Sequence, residues 1–323
     1  MRILITGGCG FIGSNVVRHF VRKHPSDTII NYDKLTYAGN PENLRDIEKE
    51  PNYQFIWGDV CNFELLRNVL RDVDCVIHLA AESHVDNSVG DSLPFTMSNT
   101  YGTHVLFEAA RINGVKRIIH VSTDEVYGDI EEGSFRESDK LNPNNPYSAS
   151  KAAAEMIVRA YHKTYRMPVI ITRGNNVYGP YQYPEKIIPK FITNLLEGKR
   201  VPLHGDGGNI RTYMYVEDVC DAIHLIFEKG AVGEIYNIGT KDEISNLELT
   251  RTILKEMGKD EKMIEFVPDR PFNDRRYSID TGRLAKLGWR QRTPFPEGIR
   301  KTIRWYKDHP DWWRPLKSRV RLD

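Results

Sequence analysis

The sequence predicts an α/β protein, a doubly wound parallel sheet followed by a smaller mixed α/β unit. Three observations predict it. Short apolar, β-branched runs recur at 2–6, 28–32, 53–57, 75–79, 117–121 and 169–172, with helical-period stretches between most of them. The first run opens straight into a glycine-rich loop, Gly7-Gly8-Cys9-Gly10-Phe11-Ile12-Gly13, and a helix to about Lys23. Beyond Gly174 the alternation stops and the elements become shorter and more mixed. Strand–helix units of this length stack into a parallel sheet covered by helices on both faces. The expected division is 1–174, with a return segment at about 211–232, and 175–323.

The first strand and its loop set the chemistry at one end of that sheet. The spacing Gly7-x-x-Gly10-x-x-Gly13 provides a tight turn, close backbone approach to a pyrophosphate and a helix N-terminus aimed at negative charge. The second strand ends in Asp33, twenty residues after Gly13. A carboxylate there suits the free ribose hydroxyls of NAD and repels the extra phosphate of NADP, so NAD is the expected cofactor. The third strand runs into Gly58-Asp59-Val60, where a carboxylate reaches towards an adenine amine. A helix over 62–71 and a strand over 75–79 follow, then Ala80-Ala81-Glu82-Ser83-His84-Val85-Asp86. The small Ala80 and Ala81 let backbone approach a cofactor, and His84 sits on the same loop as a substrate contact. A long helix is predicted over 93–112.

The strand at 117–121 leads into Ser122-Thr123-Asp124-Glu125-Val126-Tyr127-Gly128. Ligands of open α/β sheets bind beyond the carboxyl ends of the strands, so a hydroxyl and two adjacent carboxylates here mark an active site. Tyr147 and Lys151 lie four apart at the start of a helix over 147–165, hence on one face. A lysine ammonium beside a phenol favours the phenolate and lowers its pKa, giving a base for a sugar hydroxyl.

After the strand at 169–172 comes a loop rich in Gly, Pro, Asn and Tyr over 174–186. A helix over 187–196, a turn at Gly205-Asp206-Gly207-Gly208, a strand near 211–215 and a helix over 217–227 follow. The segment 267–277 carries Arg270, Arg275 and Arg276 without helical period, a pattern that suits phosphate binding by some of them and surface charge for at least one. The C-terminal stretch 299–313 reads as an amphipathic helix anchored by Trp305, Trp312 and Trp313.

Composition excludes several classes. Forty-five basic against 44 acidic residues give a net charge of +1, so no bulk field draws nucleic acid or an anionic membrane. No apolar run reaches the ~20 residues of a membrane span, and the N-terminus lacks a secretory pattern. Cys9, Cys61, Cys75 and Cys220 are scattered, which argues against a disulfide framework and a zinc site. No metal is expected, and a cytoplasmic location is.

With these residues in view, the chain resembles the nucleotide-sugar branch of the extended short-chain dehydrogenase/reductases, and within it the dTDP-glucose 4,6-dehydratases and their UDP-glucose relatives. The matching motifs stand at 7–14, 33–40, 80–86, 122–128, 146–151 and 178–186, over nearly the whole length. The paired carboxylates are the specific part, since related epimerases and decarboxylases usually lack them. The resemblance implies a Rossmann fold and a defined reaction. Tyr147, with Lys151 and Thr123, deprotonates the hydroxyl at carbon 4 as NAD takes the hydride. Glu125 removes the proton at carbon 5, Asp124 protonates the departing hydroxyl at carbon 6, and hydride returns to carbon 6.

It also implies NAD contacts at Gly7, Gly10, Phe11, Ile12, Gly13, Asp33, Lys34, Asp59 and Val60. Sugar and phosphate contacts are implied at Ser83, His84, Asn176, Glu185 and Lys186. Nucleotide contacts are implied at Arg211, Asn246, Arg270, Asn273 and Tyr277. Family members pair through two helices per subunit, here about 93–112 and 147–165, so a homodimer is expected. Departures stand at 175–178, 211–213 and Phe272-Asn273, and the first and last look more like UDP-glucose 4,6-dehydratases, including plant rhamnose-synthesis enzymes. They fall in the nucleotide-holding half. dTDP-glucose is the expected substrate and UDP-glucose the alternative. A UDP-sugar 4-epimerase or decarboxylase, and a non-catalytic NAD-binding regulator, are the remaining rivals.

Overall fold

Alternation along single strands fixes the layers. In the first strand Ile3 and Ile5 pack into one hydrophobic core with Val16, Val17, Phe20, Ile223 and Phe227. Leu4 packs into another with Leu66, Leu106, Phe107 and Val158. Both faces of the strand are therefore dry, as a sheet sandwiched between helices requires.

The computed structural model describes residues 1–269 and 274–319. In chain order its first half comprises β1 (Arg2–Thr6), α1 (Phe11–Lys23), β2 (Thr28–Asp33), β3 (Tyr53–Trp57), α2 (Phe63–Val69) and β4 (Cys75–His78). Then come α3 (Val85–Gly90), α4 (Leu93–Phe95), α5 (Gly102–Asn113), β5 (Arg117–Thr123), α6 (Pro146–Tyr165) and β6 (Val169–Gly174). The second half holds β7 (Asn176–Tyr178), α7 (Ile187–Leu196), β8 (Val201–His204), β9 (Ile210–Tyr215), α8 (Val216–Lys229) and β10 (Ile235–Ile238). It closes with β11 (Glu243–Ser245), α9 (Asn246–Glu256), β12 (Ile264–Val267), α10 (Gly282–Lys286), α11 (Phe295–Asp308) and α12 (Pro310–Lys317).

The main sheet has seven strands in the order β10-β6-β5-β4-β1-β2-β3, all parallel. The order reverses between β1 and β4, and the crevice outside their carboxyl ends is where such sheets bind ligands. Register there is tight: Thr6 pairs with Tyr32 on one side and His78 on the other. The predicted doubly wound sheet is thus present, with one strand more than was expected. Ile235–Ile238 lies just past the expected return segment and pairs with β6. α8 packs its buried Val219, Ile223, Ile226 and Phe227 onto the core of the main sheet.

The smaller elements form a three-stranded sheet, β11-β9-β7, and a two-stranded pair, β12-β8. Their own core includes Tyr178, Phe191, Leu203, Leu249, Ile299 and Trp313. α9 starts at a reciprocal cap between Ser245 and Glu248, a Ser-x-x-Glu signature. Two helices differ from expectation. Between α4 and α5 the chain makes a π-helical stretch, Thr96–Tyr101, so the predicted long helix carries one widened turn. Asn99 in that stretch is buried, and its amide exchanges hydrogen bonds with the backbone of Glu82 at 2.8 and 2.9 Å and donates to Ser150 at 2.9 Å. The C-terminal stretch is two helices, because Pro310 opens a new one at its first position.

Candidate active site

At the β1–α1 turn, glycine is demanded by contact. Gly7 adopts φ +72°, and a Cβ there would lie 2.7 Å from the Ala80 backbone. At Gly13 a Cβ would lie 2.0 Å from the Gly7 carbonyl oxygen. The loop, the start of α1 and the Ala80-Ala81 segment therefore meet at backbone distance. Gly10 caps α1 without a side-chain bond, which leaves the first N–H groups of the helix facing the crevice.

These residues line one cleft of about 1290 Å³, open to solvent. Its walls run from the β1–α1 turn past Asp33 and Asp59 to Tyr147 and Lys151. Every residue expected to touch the cofactor is in its wall: Gly7, Gly10, Phe11, Ile12, Gly13, Asp33, Lys34, Asp59, Val60, Ala80, Ala81, Tyr147 and Lys151. Asp33 is held by backbone N–H groups of Cys9 at 2.8 Å and Leu35 at 2.7 Å, while burial pushes its carboxyl above the usual range. Asp59 pairs with Lys34 at 2.7 Å, and against the opposing effect of burial that bond keeps its carboxyl low. The Ser122 hydroxyl also lines the cleft, buried and without a protein partner. A cradle too narrow for any Cβ, a bare helix N-terminus, a fixed carboxylate and an unsatisfied hydroxyl fit NAD.

The candidate catalytic groups meet at the carboxyl end of β5. The strand continues to Thr123, whose hydroxyl accepts from the Glu125 N–H and caps a 3₁₀ turn over Asp124–Tyr127. α6 begins opposite at a reciprocal cap of Asn145 and Ser148 with Pro146 in its first turn, presenting Tyr147 and Lys151. Asp124 is buried: it accepts from Asn175 Nδ2 at 2.7 Å and from the Thr123 hydroxyl at 3.3 Å. Burial nonetheless pushes its carboxyl up to about 6. Glu125, half-buried and 3.4 Å from Asn145 Nδ2, is pushed up to about 7 by burial and by the charge of Asp124. Between those two values the pair carries about one proton.

One electrostatic expectation is corrected. Lys151 was expected to lower the Tyr147 phenol, but burial and the Glu125 charge hold that phenol above its usual value, and a Thr123 hydrogen bond only partly offsets them. Lys151 donates to the Val121 carbonyl at 2.8 Å, and burial pulls its ammonium down to about 8. Four-residue spacing put the two on one face, but it carried no information about dryness.

The expected substrate residues are split. Ser83, Glu185 and Lys186 line the cleft, and Lys186 Nζ donates to the Ser83 carbonyl at 3.0 Å. Tyr37 donates to Glu185 at 3.1 Å, so two side-chain bonds tie the 185–186 segment to neighbouring segments of the cleft wall. His84 caps α3, with Nδ1 buried and unpartnered and its pKa lowered by burial and the nearby Lys186. The Asn176 side-chain oxygen is likewise buried and unpartnered. Arg211 donates to the Asp274 carbonyl at 2.8 Å and stacks 4.6 Å over the Tyr277 ring. Its charge lowers both Asp124 and Glu125. Asn246 starts α9, 3.5 Å from the Tyr213 hydroxyl. Arg270 and Asn273 lie outside the described residues. Arg276, one of the three candidate arginines, is tied to Glu243 at 2.6 Å and to the Gly133 carbonyl at 3.0 Å, which makes it a structural tether.

Sequence reasoning missed Asn175, Asn145, Gln182 and Tyr183. Asn175 directly follows β6, and that strand-end position was the available signal. Among the described residues, no group of three or more His, Cys, Asp or Glu side chains is placed to hold a metal ion. Nor, among them, is any helix long and apolar enough to cross a membrane.

The family model described as GDP-mannose 4,6 dehydratase matches residues 4–302. A trifunctional UDP-glucose 4,6-dehydratase/UDP-4-keto-6-deoxy-D-glucose 3,5-epimerase/UDP-4-keto-L-rhamnose-reductase of Arabidopsis thaliana is 49% identical over 318 residues, 96% of this chain. The chain spans about half (48%) of that relative's length. A dTDP-glucose 4,6-dehydratase of Streptomyces niveus is 47% identical over 323 residues, covering 98% of this chain and 96% of the relative. A crystal structure of dTDP-glucose 4,6-dehydratase from Streptomyces venezuelae with NAD bound superposes with a TM-score of 0.96 at 47% identity, covering 98% of this chain and 100% of that one.

Proposed function

Since this chain belongs to the family of nucleotide-sugar 4,6-dehydratases, we propose that it converts dTDP-glucose to dTDP-4-keto-6-deoxy-glucose with NAD as cofactor. The observation that carries the reading is the Asp124–Glu125 pair, two carboxyls pushed towards neutrality beside Tyr147 at the end of the central strand. An epimerase or decarboxylase has no step that needs two such groups.

When bound, NAD supplies a hydride acceptor for carbon 4 and a hydride donor for carbon 6. The chain's residues handle protons and position. Tyr147, hydrogen-bonded to Thr123, takes the proton of the hydroxyl at carbon 4 as its phenolate, a form that burial and the Glu125 charge oppose and that Lys151, one turn along α6, is placed to favour. The resulting ketone acidifies the carbon 5 proton. Glu125 takes that proton, the carbon 6–oxygen bond breaks, and Asp124 protonates the departing hydroxyl, so that water leaves. The proton on Glu125 then returns to carbon 5. The division needs two carboxyls near neutrality, one to give a proton and one to take it, with the proton on Asp124 when the sugar is bound.

Ser83, His84, Asn176, Glu185 and Lys186 would hold the sugar and phosphates. Arg211, Asn246, Arg270, Asn273 and Tyr277 would hold the nucleotide. UDP-glucose is the second reading, supported by the departures at 175–178 and 272–273 and by the Arabidopsis relative. Homodimerisation is proposed through the helices at 93–113 and 146–165, which expose Leu93, Met97, Tyr101, Met156 and Tyr165. Four free cysteines are consistent with a reducing, cytoplasmic location.

Incubation with dTDP-glucose and UDP-glucose in separate reactions tests the reading. Loss of one water by mass and the alkaline absorbance of a 4-keto-6-deoxy sugar are expected. A 4-epimer or a pentose in their place would overturn it, and the ratio of the two rates fixes the base.

A further inference from the structure

Behind the reacting groups lies a buried ion pair that the reaction does not itself use. Glu155 is 0% and Arg173 1% exposed. The guanidinium grips the carboxylate at 2.6 Å through Nη2 and at 3.1 Å from Nε to both oxygens. A buried ion pair is a poor device for stability alone, because the desolvation of both charges consumes most of the attraction. Its connections are more informative than its energy.

Glu155 follows Lys151 by four residues and Tyr147 by eight on α6, so the three share a face of that helix. Glu155 also raises the Lys151 ammonium against the larger, opposite effect of burial. Arg173 reaches the other way. Its Nη1 donates to the Tyr127 hydroxyl at 2.7 Å, and Tyr127 is the last residue of the turn that carries Asp124 and Glu125. That hydroxyl in turn donates to Asn237 Oδ1 at 2.9 Å on β10. Arg173 itself lies on β6 two residues before Asn175, which donates to Asp124. One guanidinium therefore joins the helix of Tyr147 and Lys151, the carboxylate turn and the strand that supplies Asn175.

We propose that Glu155 and Arg173 are positioning residues of the reaction: Glu155 keeps a negative charge one turn from Lys151, and Arg173 fixes the carboxylate turn against α6 through Tyr127. The part played by the turn rests on the dehydratase reading. The effect on Lys151 does not.

The test therefore has two readouts. Glu155→Gln alone strands a buried guanidinium and risks misfolding, so the pair is removed together as Glu155→Gln/Arg173→Met, with Tyr127→Phe as the mild second variant. In protein labelled with ¹³C-lysine, the Lys151 resonance is assigned by its loss in Lys151→Arg. Its titration midpoint is expected to fall in the double variant, because of the two charges removed it is Glu155, one turn away, that acts on Lys151, and to stay in place in Tyr127→Phe. In Tyr127→Phe, kcat for dehydration is expected to fall about tenfold with KM unchanged, as for loss of one hydrogen bond to a charged group. A Lys151 midpoint unmoved in the folded double variant overturns the role of Glu155. Wild-type kcat in Tyr127→Phe overturns the role of Arg173. Absence of turnover by the wild-type protein would instead count against the dehydratase reading and against any role of the turn in it, while the Lys151 midpoint still decides the role of Glu155.

Discussion

Asp124 is the residue at which function costs stability. Its carboxyl rises from an ordinary 3.8 to about 6 because it is buried. A carboxyl raised in the folded state contributes stability below its unfolded value, and that stability is lost as pH rises through the folded one. Two units correspond to roughly 3 kcal/mol. Asp124→Asn should therefore be more stable than wild type above about pH 7 by up to that amount, and equal to it near pH 4. Urea midpoints at the two pH values check this, with activity lost at both. Asn175 acts in the opposite sense, since its amide favours the ionised Asp124. Asn175→Ala should raise the Asp124 carboxyl further, move the alkaline limb of the kcat profile to higher pH and lower kcat about tenfold, the worth of a hydrogen bond to a charged group. The carboxylate pair was legible in the sequence as Asp-Glu after an apolar strand. Asn175 was not, because its partner lies 51 positions away and is set only by the pairing of β5 with β6. The direction at Tyr147 was illegible for another reason: spacing reports neighbours on a helix, while burial depends on everything packed above it.

At the scale of elements, the turn from β1 into α1 has the least tolerance. Gly13→Ala places a methyl group 2.0 Å from the Gly7 carbonyl oxygen, an obstacle made of backbone, so loop and helix must separate. Loss of NAD binding in a fluorescence titration is expected, together with destabilisation of about 1–3 kcal/mol, the usual cost of overpacking. An Ala substitution at exposed Glu48 should change neither. This turn was legible because its physics is local, a strand, three glycines and a helix within a short run. β10 was not, since Ile235–Ile238 is only four residues long and owes its place to β6, more than sixty positions earlier. The π-helical stretch was hidden for a related reason. Thr96–Tyr101 has ordinary helical period, and only the demand of Asn99 to meet both Glu82 and Ser150 widens the turn.

For the whole molecule, the exposed apolar stripe gives the clearest expectation. Leu93, Met97 and Tyr101 recur at four-residue intervals and are 74%, 51% and 47% exposed. Sedimentation should show a dimer, and Met97→Glu should shift it to monomer at micromolar concentration while NAD still binds. A wild-type monomer would refute the pairing. Doubly wound topology was legible throughout because each strand–helix unit repeats one pattern. The arrangement of the last hundred residues was not, because short strands and proline-interrupted helices carry too little period to declare their partners. Finally, the bonds of Tyr37 to Glu185 and of Lys186 to Ser83 bear on how long the dinucleotide stays. The proposed reaction returns the hydride within each cycle, so the nicotinamide ends every turnover in the oxidation state in which it began. Nothing chemical then requires it to depart, and bonds that hold the cleft wall together oppose its opening. In economy of use it is closer to a prosthetic group than to a co-substrate, and the rate of the enzyme is set independently of the cell's balance of oxidised and reduced nicotinamide.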